Sequence, residues 1–193
     1  MWRVALALTL VVSLSAFRST DVQVYTYPTF ENYRFDTVFL QIPTDNKYFQ
    51  DYVTERISKE FRKRNIKTYT PGDIFSPFRS WSDEEKAAVL AELGVDATII
   101  ISLESADRRI GSGVTFYDYN PDLGFGSAYS VKAMKEQAVF HVRLIDAGSQ
   151  DLVWAGILHT RGNGTLFVGD KSTAKAVSKH VVKSLNSSGH LPK

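Results

Sequence analysis

Val95-Asp-Ala-Thr-Ile-Ile-Ile-Ser-Leu103 is the stretch on which the fold turns. Its consecutive isoleucines fit a strand buried on both faces, as in a parallel sheet with helices packed on it. The helix before it has both ends written in the sequence. Ser82-Asp-Glu-Glu85 is a capping box: the serine hydroxyl caps the amide three residues on, and the glutamate reaches back. That helix runs to about Leu93, and Gly94 stands where a left-handed C-terminal cap belongs.

Working outward toward the N-terminus, Thr37-Val-Phe-Leu-Gln-Ile42 reads as a strand ended by Pro43, and Asp45 or Asn46 opens a helix as its N-cap. Phe49, Val53, Ile57 and Phe61 recur every four residues and share one face, with Arg56, Lys59, Arg62 and Lys63 mainly off it. Ile66 to Thr70 is a short second strand, stopped by Pro71-Gly72. Toward the C-terminus, Met134, Ala138, Phe140, Val142 and Leu144 fall on one parity, and Glu136 breaks it. Residues 128–138 alone also fit a helix. Asp146 to Asp151 is a turn, and Leu152 to Thr160 returns as a strand carrying Trp154, which makes an antiparallel hairpin. Gly162, Gly164 and Gly169 mark a loop. A last helix covers roughly Ser172 to Leu185, with Ala174, Val177, Val181 and Leu185 on its apolar face and Lys171, Lys175, Lys179 and Lys183 on another. The order β-α-β-α-β-loop-β-β-α predicts an α/β (α+β) fold, a mixed sheet flanked by helices. One domain spans residues 37–186, preceded by an N-terminal arm or tether over 17–36, in which the alternation of Val22, Val24 and Thr26 fits a short strand, and followed by a C-terminal tail over 187–193.

The N-terminus points to export. Arg3 supplies a positive region, Val4 to Val12 an apolar run, and Ser13-Leu-Ser-Ala16 a small-residue exit, the layout of a signal peptide over residues 1–16. The apolar run is shorter than the roughly 20 residues that span a bilayer. The chain has no cysteine, which suits a bacterial envelope better than a disulfide-rich eukaryotic secreted domain. A formal net charge of +2 over 193 residues argues against a broad nucleic-acid footprint.

No motif supplies a reaction. His141, His159, His180 and His190 show no metal-ligand spacing, and no thiolate completes a zinc site. The hydrolase elbow is absent, and Gly111-Ser-Gly113 and Gly124-Phe-Gly126 lack the third glycine of a nucleotide fingerprint. No cofactor and no metal is expected. The strongest candidate for function is the segment 106–130, a long loop or projecting hairpin in which glycines alternate with Phe116, Tyr117, Tyr119, Phe125 and Tyr129. Aromatic side chains are favoured anchors at protein interfaces. The same aromatics equally suit a loop folded back on its own domain. The lysine stripe of the last helix is either a solvated face or a surface for anionic lipid or peptidoglycan.

Two stretches carry a family resemblance. Ala138-Val-Phe-His-Val-Arg-Leu-Ile-Asp-Ala-Gly-Ser-Gln-Asp-Leu-Val-Trp-Ala-Gly156 and Leu93-Gly-Val-Asp-Ala-Thr-Ile-Ile-Ile-Ser102 resemble bacterial envelope lipoproteins that share the fold of the TolB N-terminal domain. That group includes the curli-secretion lipoproteins, the penicillin-binding-protein activator lipoproteins and several uncharacterised lipoprotein families. Leu14-Ser15-Ala16 resembles their lipobox, with Phe17 in place of the lipidated cysteine. The resemblance implies a non-enzymatic accessory protein of the periplasm or the periplasmic face of the outer membrane. It would bind an envelope protein or a peptidoglycan-associated partner for assembly, activation or scaffolding, with membrane association and a homo-oligomer both compatible. Two alternatives stay open: a subunit of an oligomeric secretion or pore assembly, and an enzyme whose site joins His141 or His159 with Asp118 or Asp146.

Overall fold

The computed structural model describes residues 17–110, 114–120, 125–131, 134–163 and 168–192; for Phe17, Ile110, 114–120 and 125–131 the description is of the backbone path. The signal-like segment 1–16 lies outside the described residues. Strands β1 (Phe17–Thr26), β2 (Thr37–Gln41), β3 (Lys67–Tyr69), β4 (Ala97–Ile110), β7 (Met134–Asp146) and β8 (Leu152–Asn163) form one mixed sheet in the order β1-β8-β7-β4-β2-β3. β2 is parallel to β3 and β4, whereas β4–β7, β7–β8 and β8–β1 are antiparallel. Helices α1 (Lys47–Arg62) and α4 (Asp170–Ser187) pack side by side on one face of the sheet. A one-turn helix α2 (Pro71–Ile74) and α3 (Asp83–Glu92) lie between β3 and β4. The crossovers β2-α1-β3 and β3-α3-β4 run in opposite directions along the sheet, so right-handed connection puts α3 over the other face. Phe39, alternating with the inward Val38 and Leu40, meets Phe75 edge-on there at 5.8 Å between ring centroids.

The local signals explain the helices. The Asn46 side chain accepts from the Phe49 amide at 3.0 Å as the N-cap of α1, and Phe49, Val53, Ile57 and Phe61 are all buried. Both halves of the Ser82/Glu85 capping box form, and Gly94 has φ of +65°. Ile99 and Ile101 are buried against the α1/α4 layer, while Ile100 on the opposite face is half-buried. The expected burial on both faces therefore holds for one face in full and for the other in part. In β8, Trp154 is wholly buried, its indole N–H donates to Ser188 at 3.1 Å, and its ring lies across Gly156. A Cβ on Gly156 would stand 2.6 Å from the indole, so this strand position needs glycine for space rather than for conformation.

Three boundaries differ from the sequence expectation. Within the expected arm or tether, the short strand suggested by Val22, Val24 and Thr26 is present and longer than the alternation shows. Residues 17–26 form the ten-residue edge strand β1, fully in register with β8 from Phe17↔Asn163 to Thr26↔Trp154. Most of its side chains are polar or exposed, because an edge strand gains its place through backbone pairing more than through burial. In the expected C-terminal tail, His190 and Leu191 are buried against the domain. His190 Nδ1 donates to the Tyr33 carbonyl at 2.9 Å, and the Tyr33 hydroxyl donates to the Asp96 carbonyl at 2.6 Å. Finally, Gly162 lies within β8 rather than in a loop.

The His190 clasp makes stability depend on pH. Burial holds the His190 imidazole below its ordinary pKa of 6.5, and its Nε2 is buried with no partner for a second proton. Burial and then the neighbouring Lys179 and Lys183 lower His180 in the same direction. The unfolded chain takes up these protons near 6.5, while the folded chain does so only at lower pH. Stability is therefore full above 6.5 and falls as pH drops through 6.5 toward the folded values. Urea unfolding across this range should show that loss. His190→Gln should flatten it in part, and the His180→Gln/His190→Gln pair should remove it; an unchanged slope in the double variant would contradict the assignment.

Candidate functional site

The aromatic segment is built as an outgrowth of the sheet. A register shift between Leu103 and Ser105 turns β4 over, and from Leu103 to Arg109 its side chains are exposed. β4 and β7 nevertheless stay paired to Ile110↔Met134. Strands β5 (Val114–Asn120) and β6 (Phe125–Val131) then form a two-stranded antiparallel sheet of their own. Within the segment 106–130 the described residues 114–120 and 125–130 thus take part in an antiparallel hairpin. Its register sets Phe116 opposite Tyr129, Tyr117 opposite Ala128, Tyr119 opposite Gly126 and Asn120 opposite Phe125. Strand alternation puts the positions of Phe116, Phe125 and Tyr129 on one face of the hairpin and those of Tyr117 and Tyr119 on the other.

What anchors this outgrowth is the residue that broke the sequence pattern. Glu136 sits on β7 among the inward-facing positions and is buried, opposite Arg108 of β4 and Gly162 of β8. Gly169 enters α4 with φ of +114° and offers no side-chain cap. Glu136 supplies the cap from across the fold: its carboxylate accepts from the Gly169 amide at 2.6 Å and from the Thr173 hydroxyl at 3.0 Å. A negative charge at a helix N-terminus also meets the favourable end of the helix dipole. Arg18 of β1 donates to Ser172 at 2.7 Å and to Thr173 at 2.6 Å. Burial lowers the Arg18 pKa and the Glu136 charge opposes that shift. Arg108 lies 3.5 Å from Glu136 and 3.2 Å from Asp170, and the Asn46 amide donates to Asp170 at 2.9 Å. One end of the sheet therefore gathers the N-termini of α1 and α4, the start of β1 and the base of the hairpin. Parity marked Glu136 in the sequence as an anomaly, but its partners lie far along the chain.

The histidine readings come apart. His141 and His159 both occupy the sheet face turned away from α1 and α4, in diagonal register: His141 opposes Ile157, and Val139 opposes His159. His141 Nε2 is 2.7 Å from Glu104, with both side chains about half exposed. Asp146 is committed elsewhere, at the β7–β8 turn. Burial works to raise its pKa, but hydrogen bonds from the Ser149 amide and hydroxyl and from the Gly148 amide outweigh that and hold it below the usual carboxylate value. Asp118 belongs to the separate hairpin sheet. These residues do not converge on one reaction centre. Among the described residues, no cluster of three His, Asp or Glu side chains has the arrangement to hold a metal ion, and no helix is long and apolar enough to cross a membrane.

No protein-family model and no curated protein matches the chain. Among solved structures, the PelC dodecamer from Paraburkholderia phytofirmans is similar at a TM-score of 0.49 and 14% identity, covering 89% of this chain and 99% of that one. The lipoprotein GNA1162 of Neisseria meningitidis is similar at a TM-score of 0.42 and 9% identity, over 78% of this chain and 98% of its own. A minor lipoprotein from Acinetobacter baumannii gives 0.36 and 6%, over 83% and 97%. These are likenesses of chain path alone.

Removing the Glu136 carboxylate leaves the α4 amide and the Arg108 and Arg18 charges without their buried counter-charge. Glu136→Ala should cost about 3 kcal/mol in urea unfolding. Glu136→Gln should lose a smaller part, since its amide keeps one acceptor. A loss near zero for Glu136→Ala would show that the cap is not what holds α4 to β7.

Proposed function

We propose that this protein is a non-enzymatic accessory component of the bacterial cell envelope that holds another envelope component through the β5–β6 hairpin. The observation that carries the reading is the hairpin itself. It is a two-stranded sheet hydrogen-bonded to no strand of the main sheet, at the end of an exposed strand extension, with five aromatic residues in its sequence. A hairpin of two strands is marginal alone in water, so a partner laid against it would add the third element that such a ribbon lacks. Tyr, Phe and Trp are the residues that most often carry binding energy at an interface. The signal-like N-terminus supports action in the periplasm or at the periplasmic face of the outer membrane. The dispersal of His141, His159, Asp118 and Asp146 supports a role in binding rather than in catalysis.

The partner protein or peptidoglycan-associated component would be recovered by cross-linking in producing cells and affinity capture of the chain. The Tyr117→Ser/Tyr119→Ser/Phe125→Ser variant should lose partner recovery while its unfolding midpoint stays that of the parent. Undiminished recovery from a folded triple variant would remove the hairpin from the account.

A further inference from the structure

The outer surface of the helix layer carries a second feature, separate from the hairpin. α1 with its C-terminal turn and α4 enclose a groove of about 560 Å³ into which Arg56, Lys59, Lys63, Arg64, Lys179 and Lys183 converge, against only two carboxylates, Glu55 and Glu60. Glu60 pairs with Lys63 at 2.7 Å and with Arg64 at 3.8 Å. Arg56, Lys59, Lys179 and Lys183 have no ion-pair partner among the described residues. A solvated helix face usually intersperses both signs, which lowers the self-repulsion of its charges. Here two helices from distant parts of the chain present the same sign to one groove.

The basic surface continues along α4. A second hollow, reached through Lys179, is lined by Lys171, Lys175, His180 and, from β1, Arg18, with Asp170 as the acidic side chain among them.

From this charge we infer that the α1–α4 face docks on a bilayer surface rich in anionic phospholipid headgroups. A polybasic patch is drawn to an anionic headgroup surface by about 1 kcal/mol for each Lys or Arg close to it. The groove suits phosphodiester groups, which lysines meet as point charges and arginines as hydrogen-bonded forks. The inference stands apart from the hairpin proposal: either surface can act while the other is disabled.

The test uses the full chain and two kinds of vesicle, phosphatidylcholine alone and an equal mixture with phosphatidylglycerol, in flotation at low and raised salt. The parent should bind the anionic vesicles more tightly, and added salt should erase the difference as the Debye length shortens. At roughly fivefold per lysine, Lys59→Ala/Lys179→Ala/Lys183→Ala should weaken anionic binding on the order of 100-fold and leave binding to phosphatidylcholine unchanged. Arginine at the same three positions should retain binding. A matched control, Lys86→Ala/Arg143→Ala/Arg161→Ala, removes equal charge from other surfaces and should bind like the parent. Three results would overturn the inference: equal binding of the parent to both vesicles, an equal loss in the matched control, or capture of a soluble polyuronate with no preference for anionic vesicles.

Discussion

The Glu136 carboxylate is the interaction on which the rest of the molecule's organisation depends. A charged side chain on the core side of a central strand is costly unless every oxygen is used. Here one carboxylate accepts from the first amide of α4 and from the Thr173 hydroxyl, and draws in Arg108. Thr173 in turn receives Arg18 from β1. The buried charge thus ties the start of the last helix, the edge strand and the two strands that extend into the hairpin. An apolar residue there would satisfy the core but leave the entry to α4, which has no side-chain cap of its own, without an acceptor.

The hairpin's placement follows from that knot. β4 and β7 run on past the core, where β4 no longer has an inward face, and their paired ends carry β5 and β6. A binding element works best when rigid structure positions it. The same end collects the beginning of β1 and the N-termini of α1 and α4. The opposite end is closed differently: the Asp96 carboxylate receives the Asp36 and Thr37 amides at 2.9 and 2.8 Å, and His190 locks the C-terminus to Tyr33. One end of the domain is sealed by backbone-directed hydrogen bonds, and the other bears the outgrowth.

Much of the fold was legible because its signals are local. The Phe49–Val53–Ile57–Phe61 stripe, the Ser82/Glu85 box, Gly94 and the alternation through Ala138 to Leu144 each act within a few residues, and each marks its element correctly. For β1 the alternation of Val22, Val24 and Thr26 hints at a strand, but its length and pairing do not show, because an edge strand leaves little hydrophobic pattern and its partner β8 lies well over a hundred residues away. His190 and Leu191 were read as tail for a similar reason, since two buried residues after a helix set up no period. The aromatic segment was visible by composition, but its form was not: the Leu103–Ser105 shift that lets β4 continue outward is a property of pairing with β7. The cationic groove was half visible. The stripe on α4 shows in the sequence, whereas the cations that face it from α1 meet it only through packing.

The central claim is that the β5–β6 hairpin, carried outward from a platform held by Glu136, is where this protein meets its envelope partner. A photo-crosslinking residue at position 119, compared with one at position 67 on β3 at the far edge of the sheet, tests it in the producing cell. Irradiation should give a discrete higher-mass adduct from position 119 and none from position 67. The absence of an adduct at 119, or the same adduct from both positions, would contradict the account.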